Sequence, residues 1–219
     1  AQGFLRSGVR RVGEAVLSPP GRFPGSGETG SGREDLRVAD FSAATLGSAA
    51  VGHAALSAFN AARDRGRVVL LLGASRRPGD RLAPDRATGY LRLRPPRSAS
   101  APEIADLLRQ TAPEPDFPET AAGGLGPLIV RLLRARLGAT ALISNLGVVS
   151  AAGLQRVAMF PAPSGPRAVA LGLASTAELT TLTLRTQRSD FTVEESDHVF
   201  TAVCAGFTAL GATLRSGPQ

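Results

Sequence analysis

The sequence predicts an α/β lobe in which helices cover a mixed sheet. Helical and extended patterns alternate from about residue 35 onward. Residues 168–175 and 179–187 favour two antiparallel strands joined by a short turn. An apolar run with helical spacing follows directly, which is typical of a helix that covers a sheet. A length of 219 residues suffices for one core of this kind, or for one lobe of a larger pseudo-symmetric protein.

The first 34 residues divide into two segments before the lobe at 35–219. Residues 1–20 form a predicted helical segment, because the apolar positions of 3–17 fall roughly on one side of a helix. Residues 21–34 are rich in Gly, Pro and Ser, which predicts a flexible linker. Gly25 to Gly30 forms a formal G-x-G-x-x-G, but no strand precedes it and no helix opens on it, so we expect no dinucleotide site.

The first half of the lobe combines an Ala-rich helix with two strands. Asp40 is the predicted N-cap of a helix over 41–65, and Gly66 is its predicted stop. The run 67–73 is continuously apolar, as in a strand buried on both faces, and 89–94 alternates like a half-exposed strand.

Capping signals and apolar spacing predict the remaining elements. A capping box at Ser100–Glu103 opens a helix that ends at Gln110, and Pro127 begins a helix over 127–137. A second box, at Thr192–Glu195, begins the last helix, over 193–214. Strands are predicted at 139–144, 154–160, 168–175 and 179–187. The core face of the last helix comprises Phe200, Val203, Phe207, Leu210 and Leu214.

Composition excludes several classes of protein. No apolar run is long enough for a transmembrane helix, and the start carries charges where a signal peptide would be apolar, so we expect a cytoplasmic protein. Cys204 is the one cysteine, which excludes an internal disulfide and a multi-cysteine metal site; its apolar surroundings predict a buried thiol. All 25 basic residues are arginines, scattered along the chain with one Tyr and no Trp. This pattern does not favour nucleic-acid binding, which clusters basic residues with stacking aromatics.

One motif decides the interpretation. Ser144-Asn145-Leu146-Gly147 ends a predicted strand and begins a loop. An apolar strand and a Gly-Tyr strand precede this motif; a hairpin and a helix opened by Phe-Thr-x-Glu follow it. Over residues 35 to 214 this ordered series resembles the C-terminal half of nonribosomal-peptide condensation domains, and of the related bacterial wax-ester synthases and polyketide-associated acyltransferases. The resemblance implies one lobe of a two-lobed, chloramphenicol-acetyltransferase-like fold.

The sequence departs from that family at its catalytic motif. The family uses His-His-x-x-x-Asp-Gly, in its N-terminal half, whose second His acts as general base. This chain has only His53 and His198, without the flanking residues, and we expect a packed or solvent-edge His53 and an exposed His198. The resemblance therefore implies that an N-terminal lobe supplies the histidine, either as a separate subunit or as the cleaved remainder of one chain, and that this chain is inactive alone.

The resemblance also implies a mechanism and its participants. A thioester on coenzyme A or on a carrier protein's phosphopantetheine is the donor substrate, a hydroxyl or amine is the acceptor, and no permanently bound cofactor or metal is expected. Ser144, or the backbone N–H groups of Asn145 and Leu146, would donate to the developing oxyanion. Asn145, Leu146 and Gly147 would contact the substrate. A structural role is also open to Asn145, since Asn commonly pins turns through side-chain-to-backbone bonds.

Two questions stay open at the level of sequence. Arg136 would reach a phosphate or carboxylate, or else point outward at a helix C-terminus. The chain is either half of an acyltransferase or a non-catalytic, condensation-like module that docks an acyl carrier protein or another enzyme. A third hypothesis is a stand-alone catalyst of another reaction in the same pocket.

Overall fold

Within the residues that the structure describes, the lobe is a six-stranded mixed sheet with three helices on one of its faces. The computed structural model describes residues 12–28, 32–42, 46–62, 66–75, 88–114, 136 and 138–215. In chain order the elements are β1 Glu34–Ser42, α1 Ser48–Ala61, β2 Leu70–Ser75, β3 Thr88–Leu93, α2 Ala101–Gln110, β4 Ala141–Val148, β5 Val169–Ser175, β6 Leu179–Gln187 and α3 Val193–Ala209. The predicted α/β class is confirmed.

The sheet has the order β1-β6-β5-β4-β2-β3. β4 lies between β2 and β5 and runs parallel to both, whereas β5 and β6 form the predicted antiparallel hairpin. β3 and β1 are the antiparallel outer strands. The carboxyl ends of β2, β4 and β5 therefore meet at the same end of the sheet.

Small residues let the helices approach each other and the sheet closely. A side chain on Gly52 of α1 would contact Ile104, Leu70 and Ile143, and one on Gly206 of α3 would come within 3.1 Å of the Ala54 Cα. The predicted core face of the last helix is largely confirmed: Phe200, Val203 and Phe207 are buried, Leu210 is half-buried and Leu214 is 53% exposed. α3 ends at Ala209, so Leu214 lies beyond the helix.

Both predicted capping boxes are present. The Ser100 and Thr192 hydroxyls accept hydrogen bonds from the backbone N–H of Glu103 and Glu195, and each carboxylate accepts in return from the N-cap backbone. These reciprocal bonds satisfy N–H groups that would otherwise lack partners at the start of a helix.

The predicted helix over 41–65 is wrong at its start. Residues 34–42 form the outer strand β1, which pairs with β6 from Glu34–Gln187 to Ser42–Leu179. Asp40 is therefore a strand residue, and Gly47 is the N-cap of α1. Phe41 explains the difference, because it is fully buried against Phe207 in an edge-to-face contact at 5.0 Å between ring centroids.

The predicted strand over 154–160 is also wrong. This segment is irregular and crosses the face of the sheet opposite α1, α2 and α3, which we call the helix-free face because none of these three helices covers it. The Thr183 hydroxyl donates to the Met159 carbonyl, and Arg185 donates to the Phe160 carbonyl at 3.0 Å. Because β6 side chains hold these carbonyls, the segment lies on the sheet rather than within it. We call residues 156–160 the crossing segment.

The N-terminal segment is attached to the lobe. Residues 12–17 are helical, as predicted, while residues 1–11 lie outside the described residues. Residues 21–28 do not form the flexible linker that we expected, since Phe23 is buried and the N–H groups of Gly27 and Glu28 donate to Asp190 and Arg188. The domain boundaries at 20 and 34 stay a prediction. The predicted helix over 127–137 lies outside the described residues, except for the helical, exposed Arg136.

Candidate active site

Ser144 lies near the middle of the sheet with its side chain on the helix-free face. Its neighbour Ile143 packs into the helix-covered core, and strand alternation directs Ser144 to the opposite side. Ser144 pairs with Gly172 on β5, and its Oγ lies 3.5 Å from the position of a Cβ on Gly73 of β2. The half-buried hydroxyl is thus flanked by a glycine on each neighbouring strand, and within the described residues it makes no hydrogen bond.

Asn145 points to the helix side instead and organises the end of β4. Its Nδ2 donates to the Ser48 Oγ at 3.2 Å, and its Oδ1 accepts from the Gly147 backbone N–H at 2.8 Å. Gly147 has φ of +73°, a conformation that glycine adopts without steric cost. The predicted strand end at Ser144 is wrong, because β4 continues to Val148 with a register shift after Asn145. These bonds match the structural role considered for Asn145.

Exposed apolar side chains lie around this end of β4. Leu146 is 52% exposed and Val148 73%, and Tyr90 on β3 is 44% exposed. Tyr90 pairs with Gly73, so it belongs to the same cross-strand row as Ser144. The crossing segment lies on the other side of Ser144, over Gly172 and Thr183.

Both histidines lie on the side of the sheet opposite the Ser144 hydroxyl. His53 Nδ1 is 2.9 Å from the Ala99 carbonyl and the residue is half-buried, in agreement with the expected packed role. His198 is exposed on α3, as expected. It lines a cleft of about 390 Å³ between α1 and α3, with Pro24, Ala58, Ala62, Glu194, Glu195, Val199 and Ala202. Neither histidine can reach across the sheet to a substrate at Ser144.

The Cys204 thiol and the possibility of a metal site also bear on the chemistry of the lobe. Cys204 is half-buried rather than fully buried as predicted, and this burial raises the pKa of its thiol to about 12, which makes it a poor nucleophile. In the part of the chain that the structure describes, no group of three His, Cys, Asp or Glu residues is arranged to hold a metal ion. Within the same residues, no helix has the length and hydrophobicity that a membrane crossing requires.

Sequence reasoning missed the residues that shape the surroundings of Ser144. Gly73 and Gly172 interrupt otherwise apolar strands, and such glycines commonly mark a close backbone approach. A Cβ on Gly172 would collide with the Met159 carbonyl and with the Thr183 hydroxyl. Glycines in the strands were therefore the available signal for the crossing segment and for the open position beside Ser144.

No family model matches this sequence, and no curated protein matches it either. Solved structures do resemble it. The chain aligns with a condensation domain that mediates chain release from the enacyloxin polyketide synthase, with a TM-score of 0.58 and 15% identity over 98% of this chain. It aligns with the epimerization domain from the third module of tyrocidine synthetase B, with a TM-score of 0.56 and 11% identity over 96% of this chain.

The chain has the fold of a condensation-domain lobe. It spans about half the length of those two structures, 48% of the first and 56% of the second. A probable dihydrolipoamide acetyltransferase from Listeria monocytogenes aligns with a TM-score of 0.50 and 9% identity over 94% of this chain and 91% of that chain. The predicted fold is thus confirmed, whereas the roles of Ser144, Asn145, Leu146 and Gly147 stay predictions.

Proposed function

We propose that this chain is the C-terminal lobe of an acyltransferase that moves an acyl group from a coenzyme A or carrier-protein thioester to a hydroxyl or amine. One observation carries the proposal: the Ser144 hydroxyl makes no hydrogen bond to a described residue and lies between Gly73 and Gly172, on the face of the sheet opposite α1, α2 and α3. The condensation-type fold supports the same conclusion, since the chain spans about half the length of the condensation and epimerization domains that it resembles.

In this proposal the chain supplies one wall of the site. The Ser144 hydroxyl donates a hydrogen bond to the oxyanion that develops as the acceptor attacks the thioester carbonyl. A single donor of this kind typically contributes about 3–4 kcal/mol to transition-state stabilisation. Asn145 keeps the Leu146–Gly147 backbone in place through its bonds to Ser48 and Gly147. Leu146 and Val148 offer apolar surface to the acyl chain or to the partner lobe.

The general base has to come from elsewhere. Both histidines of the chain lie on the helix side of the sheet, away from Ser144. A cytoplasmic partner lobe with His-His-x-x-x-Asp-Gly, placed over the helix-free face, would bring an imidazole to the acceptor and take its proton. The acyl carrier protein or coenzyme A would then deliver the thioester to the cleft between the lobes.

The test is acyl transfer from a thioester by the chain alone and by the chain coexpressed with proteins that carry the histidine motif. We expect activity only in a combined sample, and a fall of about 100- to 1,000-fold in kcat for Ser144→Ala. The matched control is Ser57→Ala, a half-buried serine on α1. Full activity of the isolated chain would contradict the proposal that a second lobe supplies the general base.

The second candidate function is that of a non-catalytic module that docks a carrier protein or another enzyme. The observation that favours it is the absence of a histidine beside Ser144 among the described residues. The same experiment separates the two functions. A carrier protein that binds with equal affinity to the wild type and to Ser144→Ala, with no turnover in any combination, would establish the docking module.

A further inference from the structure

We propose that the outer edge of β1 is a self-association site, at which a second copy of this chain adds its own β1 as an antiparallel strand. The inference does not depend on the proposed function, because it concerns the sheet edge farthest from Ser144. Strand addition at an exposed edge is a common mode of protein association, in which backbone groups give affinity and side-chain register gives specificity.

The unpaired part of the edge is defined by its neighbours. Odd-numbered residues of β1 exchange backbone bonds with β6, as the bond from the Arg188 N–H to the Arg33 carbonyl shows. Even-numbered residues direct their N–H and C=O groups outward. Thr213 and Arg215 already occupy this edge at Ser42 and Asp40. No described residue pairs with the edge at 34–38, and the outward groups there have one contact in the described chain, of 3.4 Å from Arg37 Nη1 to the Leu36 carbonyl.

The same residues expose apolar side chains. Leu36 is 48% exposed and Val38 is 39% exposed, both on the helix-free face. The crossing segment lies over β5 and β6, so these two side chains are separate from the exposed apolar surface near Ser144. Most exposed outer strands carry charges that oppose pairing, and Glu34 is such a charge. It is already paired with Arg185, at 2.5 Å, and with Gln187, at 2.9 Å.

One register makes the edge complementary to itself. With a twofold axis at Leu36, the two Leu36 residues face each other and exchange both backbone bonds. Arg37 of each copy then stands opposite Asp35 of the other, on the helix side, so the charges across the interface are opposite in sign. Cross-strand pairs of opposite charge are favourable, and like charges directly opposite are not. A register centred on Arg37 would instead place two arginines opposite each other.

The length of the edge sets the strength of the dimer. Five paired residues per copy bury less than the roughly 1,200 Å² of a standard stable interface, so we expect dissociation in the micromolar range or weaker. Sedimentation equilibrium of the full chain over a wide concentration series should therefore show a monomer that becomes a dimer as concentration rises.

A disulfide experiment tests the register. In a Cys204→Ala background, Leu36→Cys should crosslink on mild oxidation, because a hydrogen-bonded antiparallel pair has a Cα···Cα distance of about 5.5 Å, within disulfide range. Val38→Cys is the matched control, since two copies of Val38 would lie about 13 Å or more apart along the strands. Equal crosslinking of both variants, or a monomer at every concentration, would overturn the proposal. Crosslinking of Leu36→Cys only to a coexpressed partner lobe would overturn it too, by assigning the edge to that partner.

Two proline substitutions test the same proposal without introducing cysteines. Val38→Pro removes an outward N–H and should leave the lobe folded while abolishing the dimer, because outer strands tolerate proline at such positions. Arg37→Pro removes an N–H that bonds to β6 and should unfold the edge. A Val38→Pro variant that is folded by circular dichroism and still dimerises would contradict strand addition.

Discussion

Asn145 donates a hydrogen bond to the Ser48 hydroxyl at 3.2 Å and so joins the end of β4 to the first residue of α1. The side-chain oxygen of Asn145 accepts from the Gly147 N–H. A single amide therefore fixes the relative position of a helix, a strand and the glycine that follows it.

Replacing Asn145 with Ala should lower the free energy of unfolding by about 1–3 kcal/mol, because two hydrogen bonds, each contributing about 0.5–1.5 kcal/mol, are lost. Urea denaturation followed by circular dichroism measures the change. Ser48→Ala should cost less, since it leaves the bond to Gly147 intact. If Ser48→Ala cost as much as Asn145→Ala, the Gly147 bond would contribute nothing.

Gly172→Ala should destabilise the lobe by about 1–3 kcal/mol, the usual cost of overpacking, because the new Cβ would collide with the Met159 carbonyl. Gly73→Ala is the matched control. Its Cβ would meet only ordinary contacts in the described chain, the closest at 3.5 Å from the Ser144 Oγ, and a strand gains from losing a glycine. Thermal unfolding of the two variants should therefore differ in sign, and equal destabilisation would exclude the close crossing of Met159.

Glu195 should stabilise the fold at neutral pH and cease to do so in acid. Burial opposes ionisation of this carboxyl, but hydrogen bonds from Ser26 and Thr192 outweigh it and hold the pKa below its ordinary value. A folded-state pKa below the unfolded one gives stability that is present above the ordinary Glu range and is lost as pH falls through the folded pKa.

Glu195→Gln should therefore lower the free energy of unfolding by about 1 kcal/mol at pH 7, a figure typical of helix capping interactions at a solvent-accessible site. As the pH falls through the lowered folded-state pKa of Glu195, the wild type and the variant should converge. Urea titrations at a series of pH values measure the difference, and Glu178→Gln, in the exposed turn of the hairpin, is the control. A constant difference down to acid pH would mean that the effect is not electrostatic.

Cys204 should resist alkylation in the folded protein. A thiol with a pKa of about 12 is almost entirely protonated at pH 8, and the thiolate is the reactive form. Mass spectrometry after iodoacetamide treatment should show little modification under native conditions and complete modification in urea. Rapid native labelling would mean that α3 opens readily near this residue.

Local signals account for the elements that could be predicted from the sequence. The β5–β6 hairpin and the capping boxes at Ser100 and Thr192 depend on neighbours within a few residues, so residue pattern alone indicates them. The assignment of 34–42 failed because β1 finds its partner on β6, and no local pattern records that pairing. Because the stretch after β1 is rich in Ala, the predicted helix began too early and included residues that form a strand.

The candidate site was predictable as a motif but not as a surface. Ser144-Asn145-Leu146-Gly147 was found from the sequence, yet the opposite orientations of Ser144 and Asn145 follow from the continuation of β4 as a strand. The crossing of Met159 depends on Thr183 and Gly172, on two different strands. Contacts of this kind arise only after the sheet has assembled, and therefore leave only isolated glycines as a trace in the sequence.

The pairing of Glu34 with Gln187 also has a consequence for how the chain folds during synthesis. A ribosome delivers β1 long before β6, and delivers Phe41 long before Phe207, which covers it. Residues 21–28 likewise lack their hydrogen-bond acceptors until Arg188 and Asp190 have been synthesised. During synthesis the earliest strand of the sheet is thus unpaired, and the ring of Phe41 is uncovered. Closure of loops this long slows folding, so we expect slow refolding and dependence on chaperones in vivo.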